Sequence, residues 1–273
     1  MKQYPIALSI AGSDSSGGAG IQADLKAISA LGVYAATVIT AITAQNTKGV
    51  SAIQGILPEI IEAQGQAVLS DLKVDAIKIG MLHSIPVIEA VGRLLADYPD
   101  IPVVVDPVMV ATSGDRLLED GSLDAYRKLI FPHTTILTPN LEEAALLADM
   151  SISNIDDMLA AGQIILGQGC KAVIIKGGHL SSEVKTDILI CEGVEPVFLN
   201  ADNIKTDNTH GTGCSLSASI AACLAKGADL ESACREAKEY LHNALKAGAD
   251  FQIGHGHGPV NHFFNPIPLT SKN

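Results

Sequence analysis

The chain has 273 residues, room for one large domain or two small ones and for a core that needs no disulfide or metal to hold it. Hydrophobic residues make up 47% and charged residues 18%, which excludes an intrinsically disordered chain. Eighteen basic against thirty acidic residues, a formal net charge of −12, make a poor surface for nucleic acid or an anionic membrane, so neither is expected as a partner.

The elements alternate along the chain. A strand is predicted at 6–10, after an N-terminus whose apolar run is too short for a signal peptide and is soon interrupted by Gly12. Residues 27–47 carry no charge, but Ser29, Gly32, Gln45 and Asn46 break the run and its period changes midway. It therefore reads as a helix at 21–31, closed by Gly32, and a strand at 36–43, not as a membrane span. Helices at 59–69, 86–96, 123–130 and 142–148 then interleave with strands at 76–79, 102–105 and 135–138. A helix at 155–167 has Ser153-x-x-Asp156 as its capping box, and a strand follows at 172–176. Strands at 187–190 and 196–199, separated by Glu192-Gly193 with no helix between, read as a hairpin near one edge. Helices at 212–225, followed by Gly227, and at 230–247 complete the order.

Val103-Val104-Val105 and Val173-Ile174-Ile175 are apolar on both faces, as parallel strands covered on both sides require. The alternation therefore predicts an α/β protein with a mostly parallel central sheet and helices on both faces. With no linker, charge run, low-complexity tract or repeat, residues 1–273 are expected to form one domain. Five Cys, an odd number with no C-x-x-C pair, argue against a disulfide framework and for a reducing, cytoplasmic location.

In such a sheet the chemistry gathers at the carboxyl ends of the strands. The first strand runs into Gly12-Ser-Asp-Ser-Ser-Gly-Gly-Ala-Gly20. Gly18-Ala-Gly20-Ile-Gln-Ala23 matches a dinucleotide fingerprint, but no acid ends the next strand to hold a ribose. Gly12-x4-Gly17 begins a Walker A spacing, but Gly18-Ala19 stands where Lys-Ser/Thr is needed. What remains is a flexible loop feeding a helix, with Asp14 and Asp24 as candidate polar contacts, although by itself Asp24 reads better as a solvated acid in the first turn of the helix. A second glycine-rich stretch, His210-Gly-Thr-Gly-Cys214, opens the small-residue helix at 212–225. Its successive N–H groups make an anion pocket suited to phosphoryl transfer, and the helix field there lowers a thiol pKa and favours a Cys214 thiolate. Cys214 as a small core residue, like Cys223 and Cys234, is the competing reading.

With both loops in view, the chain resembles the ribokinase-like superfamily and, within it, the hydroxymethylpyrimidine/phosphomethylpyrimidine kinases of thiamine biosynthesis. The segments that carry the resemblance are 11–24, Thr43-Ala-Gln-Asn46, Lys78-Ile-Gly-Met81, Asp106-Pro-Val-Met109, Thr138-Pro-Asn-Leu-Glu-Glu143, Lys176-Gly-Gly-His179, His210-Gly-Thr-Gly-Cys214 and Gly258-Pro-Val-Asn-His262. The resemblance implies ATP- and Mg²⁺-dependent phosphorylation of 4-amino-5-hydroxymethyl-2-methylpyrimidine and then of its monophosphate, with no separate lid domain and as a homodimer. It gives Gly211, Thr212 and Gly213 the anion hole and Cys214 the position of general base. The pyrimidine pocket falls to Asp24, Gln45, Met81 and Val108, with Gly12 in its wall. Asp106, Asn140 and Glu142 fall near the triphosphate, with Asp106 and Glu142 reaching Mg²⁺ through phosphates or water. Lys176 neutralises phosphate charge, and Lys238 matches a helix position near the nucleotide, although a solvated helical Lys reads almost as well. Gln45 also has a physical reason: its amide sets one donor beside one acceptor, the complement of an aminopyrimidine edge.

Three other readings compete. A pyridoxine/pyridoxal kinase shares the Cys-bearing anion hole, a non-catalytic pyrimidine sensor would keep the pocket without a phosphoryl site, and a nicotinamide oxidoreductase needs the acid missing after the second strand. His255-Gly-His257 with His262 lacks the further ligands a zinc site requires.

Overall fold

The computed structural model describes residues 2–109, 121–178 and 184–271. His179, the last residue of one of the family segments, lies outside them. The chain order is β1 (Ile6–Asp14), α1 (Gly20–Ala30), β2 (Tyr34–Asn46), β3 (Gly49–Gly55), α2 (Pro58–Leu69), β4 (Ala76–Ile79), α3 (Ile85–Asp97), β5 (Val103–Val105) and α4 (Ser122–Leu129). It continues with β6 (Ile136–Leu137), α5 (Leu141–Ala148), α6 (Ile155–Leu166), β7 (Ala172–Ile175), β8 (Val184–Cys191), β9 (Val197–Asp202), α7 (Thr212–Ala225) and α8 (Leu230–Gly248).

Among the described residues all the strands join one sheet, in the order β3-β2-β1-β4-β5-β6-β7-β8-β9. The run from β2 to β7 is parallel, and the two ends of the sheet are antiparallel. The hairpin expected near one edge is β8–β9. Strand β3 was not foreseen: Val-Ser-Ala-Ile-Gln between two glycines offers no alternation, because this edge strand is largely exposed along its length.

Neighbouring residues along each central strand face opposite cores. Leu8, Ile77, Val105 and Ile175 pack toward α2 to α6, through Ile61, Val87, Tyr126, Leu147 and Met158. Ala7, Ala76, Val104 and Ile174 pack toward α1, α7 and α8, through Ile28, Leu216, Ala221 and Tyr240. Two sides of helices on continuous apolar strands are what a parallel sheet demands. Alanines on the second side bring α7 close to the sheet. Its buried Ser217 and Ser219 turn their hydroxyls back to the Gly213 and Ser215 carbonyls, at 3.0 and 2.7 Å, so neither leaves a buried polar group unpaired.

Gly32 (φ 74°) and Gly227 (φ 90°) follow α1 and α7 in the left-handed region, as expected of glycines at helix ends. The capping expected of Ser153 shifts by one residue. Asn154 is the cap of α6 and accepts from the Asp157 N–H, and Ser153 instead donates to the Asp157 carboxylate. The uncharged run at 27–47 is divided between α1 and β2, and no helix among the described residues is long and apolar enough to cross a membrane.

Candidate active site

A cavity of about 690 Å³ opens at the carboxyl ends of the central strands. Strand β1 delivers the first wall. A bulge between Ala11 and Ser13 breaks its register with β2 at Gly12, and the missing side chain there makes room for Met81, since a Cβ at Gly12 would sit 2.8 Å from the Met81 methyl carbon. Asp14 ends the strand and collects the following loop. Its carboxylate accepts from the N–H groups of Ser16, Gly18 and Ala19 at 2.8, 3.0 and 2.8 Å, and lies 2.8 Å from His210 Nε2. Burial works to raise its pKa, but these hydrogen bonds, that of His210 foremost, hold it down at about 2.

Strand β2 brings Gln45 to the same cavity. Its Oε1 lies 3.1 Å from the Thr43 hydroxyl, and its Nε2 lies 3.5 Å from His210 Nε2. Met81 and Val108 follow β4 and β5 and line the cavity beside it.

The opposite end is built by α7. Gly211 caps it in the left-handed conformation (φ 78°), which positions Thr212, Gly213 and Cys214 in the first turn with their N–H groups unused by the helix. Glycine at 211 is needed twice over, because any Cβ there would overlap the Gly18 carbonyl oxygen. At Gly213 a Cβ would come to 3.2 Å from Lys176 Nζ and 3.3 Å from Asp106 Oδ2. Lys176 Nζ in turn lies 2.9 Å from Asp106 Oδ1 and 4.0 Å from Glu143 Oε2. Burial opposes its charge, but Asp106 and Glu143 overcome that and raise the ammonium's pKa.

Cys214 lines the cavity, half-buried. Burial, together with Asp24 and Asp106, pushes the thiol up to about 11 against the help of Lys78, so the thiolate expected at the head of α7 is not the resting form. A thiol of that kind is ionised in about one molecule in ten thousand at pH 7.

The remaining site residues divide. Asn140, Glu142 and Lys238 line the cavity. Asn140 is also the cap of α5, accepting from the Glu143 N–H at 2.9 Å while Glu143 accepts from its own N–H at 2.8 Å. Lys238 Nζ is not solvated as a plain helical Lys would be; it lies 2.7 Å from Asp187 Oδ2. Asp24 is corrected: it does not line the cavity, being fully buried beneath it with its carboxylate taken up by Lys78 Nζ, at 2.8 and 2.9 Å, and by Ser9 Oγ at 2.5 Å.

Lys78, His210 and Glu143 were not singled out from sequence. Two signals were present: a lysine inside the four-residue apolar strand β4, and the Asn140-x-x-Glu143 capping spacing that turns Glu143, not Glu142, inward. His262 is buried against Ser215, 2.8 Å from its hydroxyl, whereas His255 and His257 are exposed.

A family model described as phosphomethylpyrimidine kinase matches residues 14–261. A hydroxymethylpyrimidine/phosphomethylpyrimidine kinase of Rhizobium meliloti (strain 1021) is 52% identical over 94% of this chain and 97% of its own length. The crystal structure of a phosphomethylpyrimidine kinase from Clostridium difficile 630 superposes with a TM-score of 0.78 at 42% identity, covering 88% of this chain and 99% of that one. A pyridoxal kinase from Staphylococcus aureus in complex with AMP-PCP and pyridoxal superposes with a TM-score of 0.88 at 34% identity, covering 97% and 96%.

Proposed function

The chain belongs to the phosphomethylpyrimidine kinase family, and on that premise we propose that it transfers the γ-phosphoryl group of ATP to 4-amino-5-hydroxymethyl-2-methylpyrimidine and then to the resulting monophosphate, for thiamine biosynthesis. It is a kinase of ribokinase-like fold. The observation that carries the reading is the meeting, in one cavity, of the Gln45 amide with Cys214 and the N–H groups that open α7.

In this reading Gln45 binds the aminopyrimidine edge and Met81 and Val108 cover the ring. That leaves the hydroxymethyl group for Cys214. The thiolate takes the hydroxyl proton, the oxygen forms its bond to the γ-phosphorus, and the bond to the β-phosphate oxygen breaks. Because the resting thiol is protonated, the alcohol reaction is expected to speed up as pH rises. The monophosphate oxygen is already ionised and needs no base. Gly211, Thr212 and Gly213 meet the charge spread over the transferred group, and Lys176 neutralises it. Asn140 and Lys238 face the nucleotide.

Magnesium belongs to the same proposal. Asp106 and Glu142 both line the cavity, while no group of three His, Cys, Asp or Glu forms a cage among the described residues. That donor set fits an ion held by one or two carboxylates, phosphates and water. When bound, the ion neutralises charge on the β- and γ-phosphates.

Residues 1–273 are read as a single kinase domain acting as a cytoplasmic homodimer. Ile42, Ile53, Leu57 and Ile60, exposed near the free β3 edge, support a partner copy there. Light scattering of the purified protein tests that part.

A second reading, pyridoxal phosphorylation, is favoured by the likeness to the Staphylococcus aureus pyridoxal kinase. Incubation with Mg-ATP and each alcohol separates the two. ADP release with the aminopyrimidine supports the first reading, and release with pyridoxal alone overturns it.

A further inference from the structure

Lys78 is the side chain that neither the fold nor the reaction above requires. It stands in β4 between Ile77 and Ile79, with no solvent exposure. Its Nζ spends two hydrogen bonds on the two oxygens of Asp24, itself wholly buried in α1, and Ser9 Oγ closes the remaining side of that carboxylate. Stability does not account for such a pair, because well-packed apolar side chains in its place are often as stable or more so.

The position of the pair is more telling. Lys78 belongs to the cavity lining whereas Asp24 does not, so the ammonium is the member that faces the site. Gly80 keeps space open beside it: a Cβ there would lie 2.9 Å from Lys78 Nζ. The charged groups that act on Cys214 come from four directions: Lys78 on β4, Asp24 on α1, Asp106 after β5 and Lys176 after β7. The Gly20 N–H also faces the sulfur. Asp106 and Lys176 pair at 2.9 Å, as Lys78 and Asp24 do at 2.8 Å, and of the latter two Lys78 alone lines the cavity.

We propose that Lys78, kept charged by Asp24, is the electrostatic support of Cys214, stabilising its thiolate, and is thus a positioning residue for the base. Burial works against a charge on Lys78, but the Asp24 carboxylate outweighs it and holds the ammonium's pKa above its ordinary value. A neutral lysine could give the thiolate no such support; this one keeps its charge throughout the range in which enzymes work. The inference rests on the reading of Cys214 as base, but its test does not.

The test is the rate at which iodoacetamide alkylates Cys214, followed by peptide-resolved mass spectrometry between pH 8 and 9.5. The rate tracks the thiolate fraction. In Lys78→Met it is expected to fall about tenfold at each pH, the effect of one nearby charge. Since that variant leaves a buried carboxylate without a donor, Lys78→Gln, which removes the charge but keeps a donor for Asp24, serves as the milder form and is expected to shift the same way. Lys78→Arg, which keeps the charge, is expected to restore most of the rate. Alkylation within about twofold of wild type in the folded Lys78→Gln variant, where one lost charge should cost about tenfold, overturns the inference. If alkylation slows but alcohol phosphorylation does not, the electrostatic role stands and the assignment of Cys214 as base fails.

Discussion

His210 Nε2 lies 2.8 Å from Asp14 Oδ2, and this contact ties the loop after β1 to the loop that opens α7. The same carboxylate gathers the N–H groups of Ser16, Gly18 and Ala19, so one buried anion aligns the proposed substrate wall with the proposed anion hole. The Gly211 backbone then fits against the Gly18 carbonyl with no room for a side chain.

Asp14→Asn should expose the cost of losing that anion. A carboxyl held at about 2 in the folded state, below its ordinary value of 3.8, contributes stability that is present above pH 4 and is lost as pH falls toward 2. The variant is therefore expected to be about 2 kcal/mol less stable at pH 7, with the gap closing between about pH 4 and 2. Urea unfolding across that range measures it; a gap independent of pH would show that the charge on Asp14 is not what matters.

His262 gives the opposite end of the scale. Burial, helped by Lys26, holds its pKa down at about 4 against an ordinary 6.5. The folded protein keeps the ring neutral while the unfolded chain protonates it, so stability is full above pH 6.5 and is lost as pH falls toward 4. About 3 kcal/mol should go in that window. His262→Gln should flatten this part of the profile, and an unaltered profile would remove His262 as its source.

Gln45→Glu deletes the amide donor while keeping size and one acceptor. Pyrimidine affinity by calorimetry is expected to fall about tenfold or more, with nucleotide affinity within about twofold of wild type. Equal losses for both ligands would mean that Gln45 acts on the fold of the site and not on the ring.

Much of this arrangement was legible in the residues. Runs such as Val103–Val105 announce a buried parallel strand because both faces must be apolar, and the glycines at 32 and 227 mark helix ends because little else adopts that conformation. Strand β3 was not legible, since an exposed edge strand has no face to pattern. Asp24 was read as a cavity residue for a related reason: sequence shows a carboxylate on a helix but not that its partner is a lysine four elements on, in β4. The thiol of Cys214 was legible as a cavity residue but not in its proton affinity, because its burial and the carboxylates of Asp24 and Asp106 come from elements distant in the chain.

Lys176→Ala and Cys214→Ala should separate charge neutralisation from proton transfer. Lys176→Ala is expected to slow both phosphorylations by about 10²-fold or more, since both pass the same transferred group. Cys214→Ala is expected to cut alcohol turnover by about 10²–10⁴ and to spare the monophosphate reaction, whose acceptor is already ionised. In the wild type the alcohol rate should climb with pH below about 11, where the thiol ionises, and the monophosphate rate should not. Equal losses for both acceptors in Cys214→Ala would contradict this division.

The most direct measurement follows phosphorus by ³¹P NMR in a single incubation of the protein with Mg-ATP and 4-amino-5-hydroxymethyl-2-methylpyrimidine. The monophosphate signal should appear, pass through a maximum and give way to the diphosphate as ADP accumulates. Absence of the monophosphate, or transfer to pyridoxal under the same conditions while the pyrimidine stays untouched, would contradict the account.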